Sequence, residues 1–123
     1  MLQSLSLNDS AAVATSFVMK SVNGQSVVYM APTSSSTEPK TLTVDVVNKD
    51  LNSSASDRVT VRAQIVMRDT VTGVPVAANF SAQLVLPRNT VMTDKLRKDC
   101  YSYVMNYLAI SGAFDSLADG IIP

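Results

Sequence analysis

The chain has 123 residues, of which 46% are hydrophobic; that is enough for one domain with a modest core and too apolar for disorder throughout. Ten Lys and Arg balance ten Asp and Glu, so no global charge advertises a nucleic-acid or membrane partner, and any anion site must come from how the charges are distributed. Histidine is absent and Cys100 is the only cysteine, which excludes an internal disulfide framework and the usual zinc ligand sets. A lone cysteine at an apolar helical position ordinarily serves as a small core residue.

The opening MLQSLSLNDSAAVATSFVMK lacks a basic region before an apolar core, so no signal peptide is expected. No apolar run approaches the ~18–20 residues of a membrane span. Asn8-Asp9-Ser10, Asn52-Ser53-Ser54 and Asn79-Phe80-Ser81 match glycosylation sequons, which carry no weight without a secretion signal. A chain used in a cytoplasm, or in something assembled there, is the expectation.

Leu5 and Leu7 alternate with Ser4 and Ser6, Asn8-Asp9-Ser10 supplies turn residues, and AAVATSFVMK is extended again. Residues 3–20 therefore read as an N-terminal hairpin. Asn23-Gly24 signals a turn, and QSVVYMAP is a strand stopped by Pro32. After a polar loop at 33–37, TLTVDVVNK points Leu42, Val44 and Val46 one way and Thr41, Thr43, Asp45, Val47 and Lys49 the other. A loop over 50–56 leads into DRVTVRAQIVMRD, residues 57–69. There Val59, Val61, Ala63, Ile65 and Met67 take one face, and Arg58, Thr60, Arg62, Gln64 and Arg68 the other. Residues 70–75 break the pattern. VAANFSAQLVLP then resumes it, with Phe80, Ala82, Leu84 and Leu86 against Asn79, Ser81, Gln83 and Val85.

After Pro87 the period changes. Thr93 is a good N-cap, Asp94 suits the helix dipole, and Leu96, Cys100, Val104, Tyr107 and Leu108 follow at helical spacing. Gly112 is expected to close the helix, and the tail adds a turn around Phe114–Leu117. Strands first and helix last predict an α+β fold with an antiparallel sheet.

About five strands at ~4.8 Å spacing make a sheet roughly 24 Å wide, whereas one helix covers only ~10 Å of it. A partner must cover the remaining apolar face. The helix agrees: Tyr101, Met105 and Leu108 form a second apolar stripe beside Leu96, Cys100, Val104 and Tyr107, more than one sheet requires. These seven residues are the expected interface of an interlocked homodimer.

The wet face of 57–69 looks either at bulk water or at a polyanion. Arg58, Arg62, Arg68 and Lys49 set four positive charges against Asp45 in a chain of zero net charge, a distribution that favours phosphate. An enzyme is not expected. The sequence offers no histidine base, no metal cluster, no nucleophile elbow and no phosphate-cradling glycine loop among its four glycines. No catalytic residue, metal or cofactor is assigned.

Two stretches, with this order of elements, resemble the coat proteins of single-stranded RNA bacteriophages (levivirus-like). One is Thr60-Val61-Arg62-Ala63-Gln64; the other is Val74-Pro75-Val76-Ala77-Ala78 leading through Leu84-Val85-Leu86-Pro87 to the helix. The resemblance spans essentially the whole chain as one coat-protein domain, 1–123. It implies a hairpin at 3–20, a five-stranded antiparallel sheet within 26–87 and two C-terminal helices within 93–118. The implied assembly is an interlocked homodimer whose two sheets are continuous, and then an icosahedral shell around single-stranded genomic RNA. In many members the inner sheet also binds an RNA hairpin and represses replicase translation. The implied RNA-facing residues are Thr41, Thr43, Asp45, Lys49, Thr60, Arg62, Gln64, Asn79, Ser81 and Gln83, with Arg58 adding charge. The loop Thr70, Val71, Thr72, Gly73, Val74 and Pro75 would meet neighbouring dimers around the symmetry axes. Implied partners are a second copy, viral RNA and a maturation protein, in a virion assembled in the bacterial cytoplasm, with no membrane involved. The competing expectation is a dimeric β-rich interaction module with no RNA role.

Overall fold

The computed structural model describes residues 3–47, 56–87 and 89–122. Six strands come first: β1 Ser4–Asn8, β2 Ala14–Asn23, β3 Ser26–Met30, β4 Lys40–Val47, β5 Asp57–Arg68 and β6 Pro75–Leu86. Two helices follow, α1 Asp94–Leu108 and α2 Ala113–Ala118. The change of hydrophobic period after Pro87 thus marks a real change of structure. The chain forms two compact units, Met1–Val85 and Leu86–Pro123. Lys49 and residues 50–55 of the loop predicted over 50–56 lie outside the described residues.

The strands form one sheet in the order β1-β2-β3-β4-β5-β6. It has six strands rather than five beside a separate hairpin, and the length of β2 is the reason. Its ten residues pair antiparallel with β1 over Ala14–Val18 and with β3 over Val18–Asn23. The register shifts between Met19 and Ser21, so Lys20 is an extra residue against β3, a bulge that bends the strand and raises its twist. β3 and β4 then pair over Ser26–Met30 and Thr41–Asp45, and β4 and β5 from Lys40↔Ile65 to Val47↔Arg58.

Three of the hairpin turns have a clear local cause. Asn23↔Ser26 leaves a two-residue loop in which Gly24 takes φ 61, the sign that a II′ turn demands at its first central residue. At the outer hairpins an aspartate organises the turn. In the first, Asp9 N–H donates to the Val13 carbonyl at 2.9 Å and Ala12 N–H to the Asp9 carbonyl at 3.0 Å. In the second, Asp69 N–H donates to the Val74 carbonyl at 2.9 Å and Gly73 N–H to the Asp69 carbonyl at 2.8 Å. Both are turns closed by a residue in the left-handed region, Ala12 at φ 60 and Gly73 at φ 70, the geometry of a G1-type bulge.

In the helical unit, the Thr93 side chain accepts from Leu96 N–H at 3.3 Å, as an N-cap should. Pairs at i,i+4 line the exposed side, Lys98–Asp94 at 2.9 Å and Lys95–Asp99 at 2.7 Å. The pairing with Lys98 holds the Asp94 carboxyl below its ordinary pKa. Arg97 Nη2 donates to the Pro87 carbonyl at 3.1 Å and ties the first turn of α1 to the segment before it. Gly112 does not end α1, contrary to the expectation from the sequence. That helix stops at Leu108 with Ala109 as its C-cap, and Gly112 instead takes φ 78 as the N-cap of α2. The turn between them closes with Ala113 N–H on the Ile110 carbonyl, which leaves Ala113 buried. Gly120 ends α2 at φ 77, with Gly120 N–H on the Leu117 carbonyl and Ile121 N–H on Ser116, a Schellman arrangement.

Candidate nucleic-acid interface

Antiparallel partners on adjacent strands project to the same side of a sheet, so the register sorts every side chain to a face. One row joins Val18, Met30, Thr41 and Gln64. The next joins Ser21, Val28, Thr43 and Arg62, and the third joins Asn23, Ser26, Asp45 and Thr60. Val47 and Arg58 begin a fourth. The opposite face carries Val22, Val27, Val44 and Val61 in one row and Met19, Tyr29, Leu42 and Ala63 in another. Val27 and Tyr29 are its buried centre.

The last strand joins the same face by a count from its turn. In the first hairpin, the bonds that set Val13 opposite Asp9 are followed by the observed pair Asn8↔Ala14. The corresponding bonds at Asp69 set Val74 opposite Asp69. Counting back along β5 and forward along β6 brings Asn79 opposite Gln64, Ser81 opposite Arg62 and Gln83 opposite Thr60. Alternate burial along β6 agrees: Ala82, Leu84 and Leu86 are half-buried, while Ser81 and Gln83 are exposed. Phe80 falls opposite Ala63, on the apolar side.

The polar residues expected together are therefore together. Thr41, Thr43, Arg58, Thr60, Arg62, Gln64, Asn79, Ser81 and Gln83 share one face, and Asp45 shares it with them. Arg58 and Arg62 are exposed. Among the described residues the ion pairs lie on α1, and none involves either arginine. Two contributors are missed by sequence reading. Ser26 faces this side because β3 alternates in register with β4. The other is Lys20, on this face by alternation from Val18, one residue before the bulge turns Ser21 to the same side.

The remaining predicted residues sit as follows. Thr70 to Val74 form the second outer turn, and Pro75 is the first residue of β6. The Asp69 carboxylate accepts from Val71 N–H at 2.7 Å and Thr72 N–H at 3.1 Å. These two backbone donors, Thr72 first, hold its carboxyl below the ordinary value. Val71 stands 92% exposed at the tip. Leu96, Cys100, Tyr101, Val104, Met105, Tyr107 and Leu108 all lie on α1, where Met105 alone among them is half-buried. Cys100 is exposed in the single chain, not a core residue.

No protein-family model matches the chain, and no curated protein matches it. Solved structures do. A virus-like particle of bacteriophage AVE019 aligns at TM-score 0.77 and 12% identity, over 99% of this chain and 97% of the other. A virus-like particle of Beihai levi-like virus 21 gives TM-score 0.77 at 10% identity over 98% and 95%. The fold is that of a levi-like phage coat protein. The bacteriophage GA protein capsid has it too, at TM-score 0.67, 12% identity and coverage of 98% and 95%. End-to-end coverage means that the coat-protein fold accounts for the sheet and the helices together, despite identities near the level of unrelated chains.

Proposed function

We propose that this protein is a structural capsid subunit, not an enzyme. It dimerises through α1 and the apolar sheet face, and the dimers close into an icosahedral shell around single-stranded RNA held on the polar face. Its place is the virion, assembled in a bacterial cytoplasm. The observation that carries this reading is surface left bare. α1 is 15 residues long and buries none of them, while on β5 Val61, Ile65 and Met67 are all exposed. A groove of about 750 Å³ lies on the apolar sheet face, lined by Leu7, Phe17, Leu42, Ala63 and Ile65 among others. Apolar area of this extent is costly in water at about 25 cal/mol per Å², and a second copy offers complementary apolar surface in α1. The exposed arginines of the opposite face supply the charge for a phosphate polymer.

Electron microscopy of the purified protein tests the reading. Uniform hollow particles with nuclease-protected RNA are expected; a small dimer that persists across salt and concentration would refute a shell and leave an interaction module. Arg62→Glu is expected to lower the RNA content of particles severalfold and leave dimers intact. Unchanged RNA content would remove Arg62 from the interface.

A further inference from the structure

We propose that Lys20, carried by the β2 bulge, is a phosphate-binding residue of the RNA face, and that this face grips the backbone of single-stranded RNA without reading its sequence. The inference deepens the capsid reading and rests on it.

The bulge sets Lys20 and Ser21 side by side on that face. Val18 pairs with Met30 on the polar face and Met19 with Tyr29 on the apolar one, so alternation turns Lys20 back to the polar face. In an uninterrupted strand Ser21 would then point to the apolar side. It pairs instead with Val28, in the row of Thr43 and Arg62. Lys20 and Ser21 therefore both stand against Val28, two residues against one. Lys20 is exposed, and among the described residues it joins no ion pair. It lies three strand spacings, ~14 Å, from Arg62 along one row, with the Ser21 hydroxyl beside it and Val28 and Thr43 between. Arg58 and Arg68 alternate onto the same face of β5, and Asp45 is the one carboxylate in its paired rows.

The composition of the rows indicates what is held. They consist of Ser, Thr, Asn, Gln, Val, Met, Asp and the cations, with no aromatic ring. The aromatic side chains of the paired strands, Phe17 and Tyr29, belong to the other face by register, as Phe80 does by the count from its turn. Among the described residues of this face, bases have no aromatic platform on which to stack. Cations and hydroxyls are the groups that hold phosphate and sugar, contacts that position a strand and carry no sequence information.

Binding of RNA-free soluble protein to fluorescent RNAs, measured across a salt series, tests both parts. The probes are two unrelated single strands of equal length and one hairpin. Wild type is expected to bind the three within about threefold of one another. Each phosphate contact contributes about 0.7 to the slope of log affinity against log salt for single strands. Lys20→Ala should therefore flatten the slope by about that amount for every probe, Lys20→Arg should retain it, and Lys98→Ala on α1 should leave it unchanged. Circular dichroism confirms that each variant is folded, and Lys20→Gln substitutes if the alanine variant is not. An unaltered slope in the folded Lys20 variant overturns the assignment of Lys20. A preference of tenfold or more for one probe overturns sequence neutrality. Failure of wild type to bind any probe at low salt strikes the RNA-binding reading itself, a result distinct from the other two.

Discussion

The two outer hairpins close with the same device and differ by one residue. The first runs Asp9-Ser10-Ala11-Ala12-Val13 and the second Asp69-Thr70-Val71-Thr72-Gly73-Val74. In each, the aspartate carboxylate accepts from backbone N–H groups across the turn: Ala11 at 2.9 Å and Val13 at 3.0 Å in one, Val71 and Thr72 in the other. In each, a left-handed residue precedes a valine whose carbonyl returns the bond to the aspartate N–H. The extra residue of the second hairpin is absorbed inside the turn. What fixes pairing is the left-handed residue and the valine after it, not the length of the loop. Since a slip of one residue turns a whole strand over, this device decides which face of β6 meets Arg62.

Deleting Val74 attacks that point and should have the largest effect. Pro75 would take the place opposite Asp69, and every residue of β6 would change face. Asn79, Ser81 and Gln83 would move to the apolar side, while Phe80, Ala82 and Leu84 would meet water. Loss of soluble protein on expression is the expected outcome. A soluble variant with native circular dichroism and native RNA binding would show that the turn does not set the register.

The sheet was largely legible because one face is apolar and the other polar, so period two in TLTVDVV and DRVTVRAQIVMR marks both strand and face. The polar face of β4 and β5 could be assembled from those two segments alone. The face of Ser21 could not be read in this way, because a bulge inserts a residue without changing composition. Gly112 was misplaced for a related reason: a positive-φ glycine serves at either end of a helix, and the Ala109 cap that ends α1 has no sequence signature. The expectation of a dimer rests on sheet width and on the second apolar stripe of α1, and neither depends on whether the strands number five or six.

Gly73→Ala and Ala12→Gly form a reciprocal pair with intermediate effects. A left-handed conformation costs an alanine about 1–2 kcal/mol, and glycine returns about 0.4–1 kcal/mol through the freedom it gives the unfolded chain. The balance is about 1 kcal/mol in either direction. A Cβ at Gly73 would meet nothing within 4 Å, so the cost there is conformational alone. Denaturant unfolding of the soluble protein should show Gly73→Ala destabilised and Ala12→Gly stabilised by similar amounts. Two changes of the same sign would mean that the turns are not equivalent.

The smallest effect is expected from deleting Thr72, the neighbour but one of Val74. The remaining Asp69-Thr70-Val71-Gly73-Val74 has the length of the first turn, with glycine where that turn carries Ala12. The deletion removes the contact from Val74 N–H to Thr72 Oγ1 at 3.3 Å. It leaves Val74 N–H where Val13 N–H stands in the first hairpin, within reach of the aspartate carboxylate. Gly73 still supplies the left-handed residue, so Val74 still faces Asp69 and Ser81 still faces Arg62. The variant should be soluble, unfold within about 0.5 kcal/mol of wild type, and keep its affinity for RNA. Loss of solubility like that expected for the Val74 deletion would show that loop length, not the left-handed residue, sets Ser81 opposite Arg62 on the polar face.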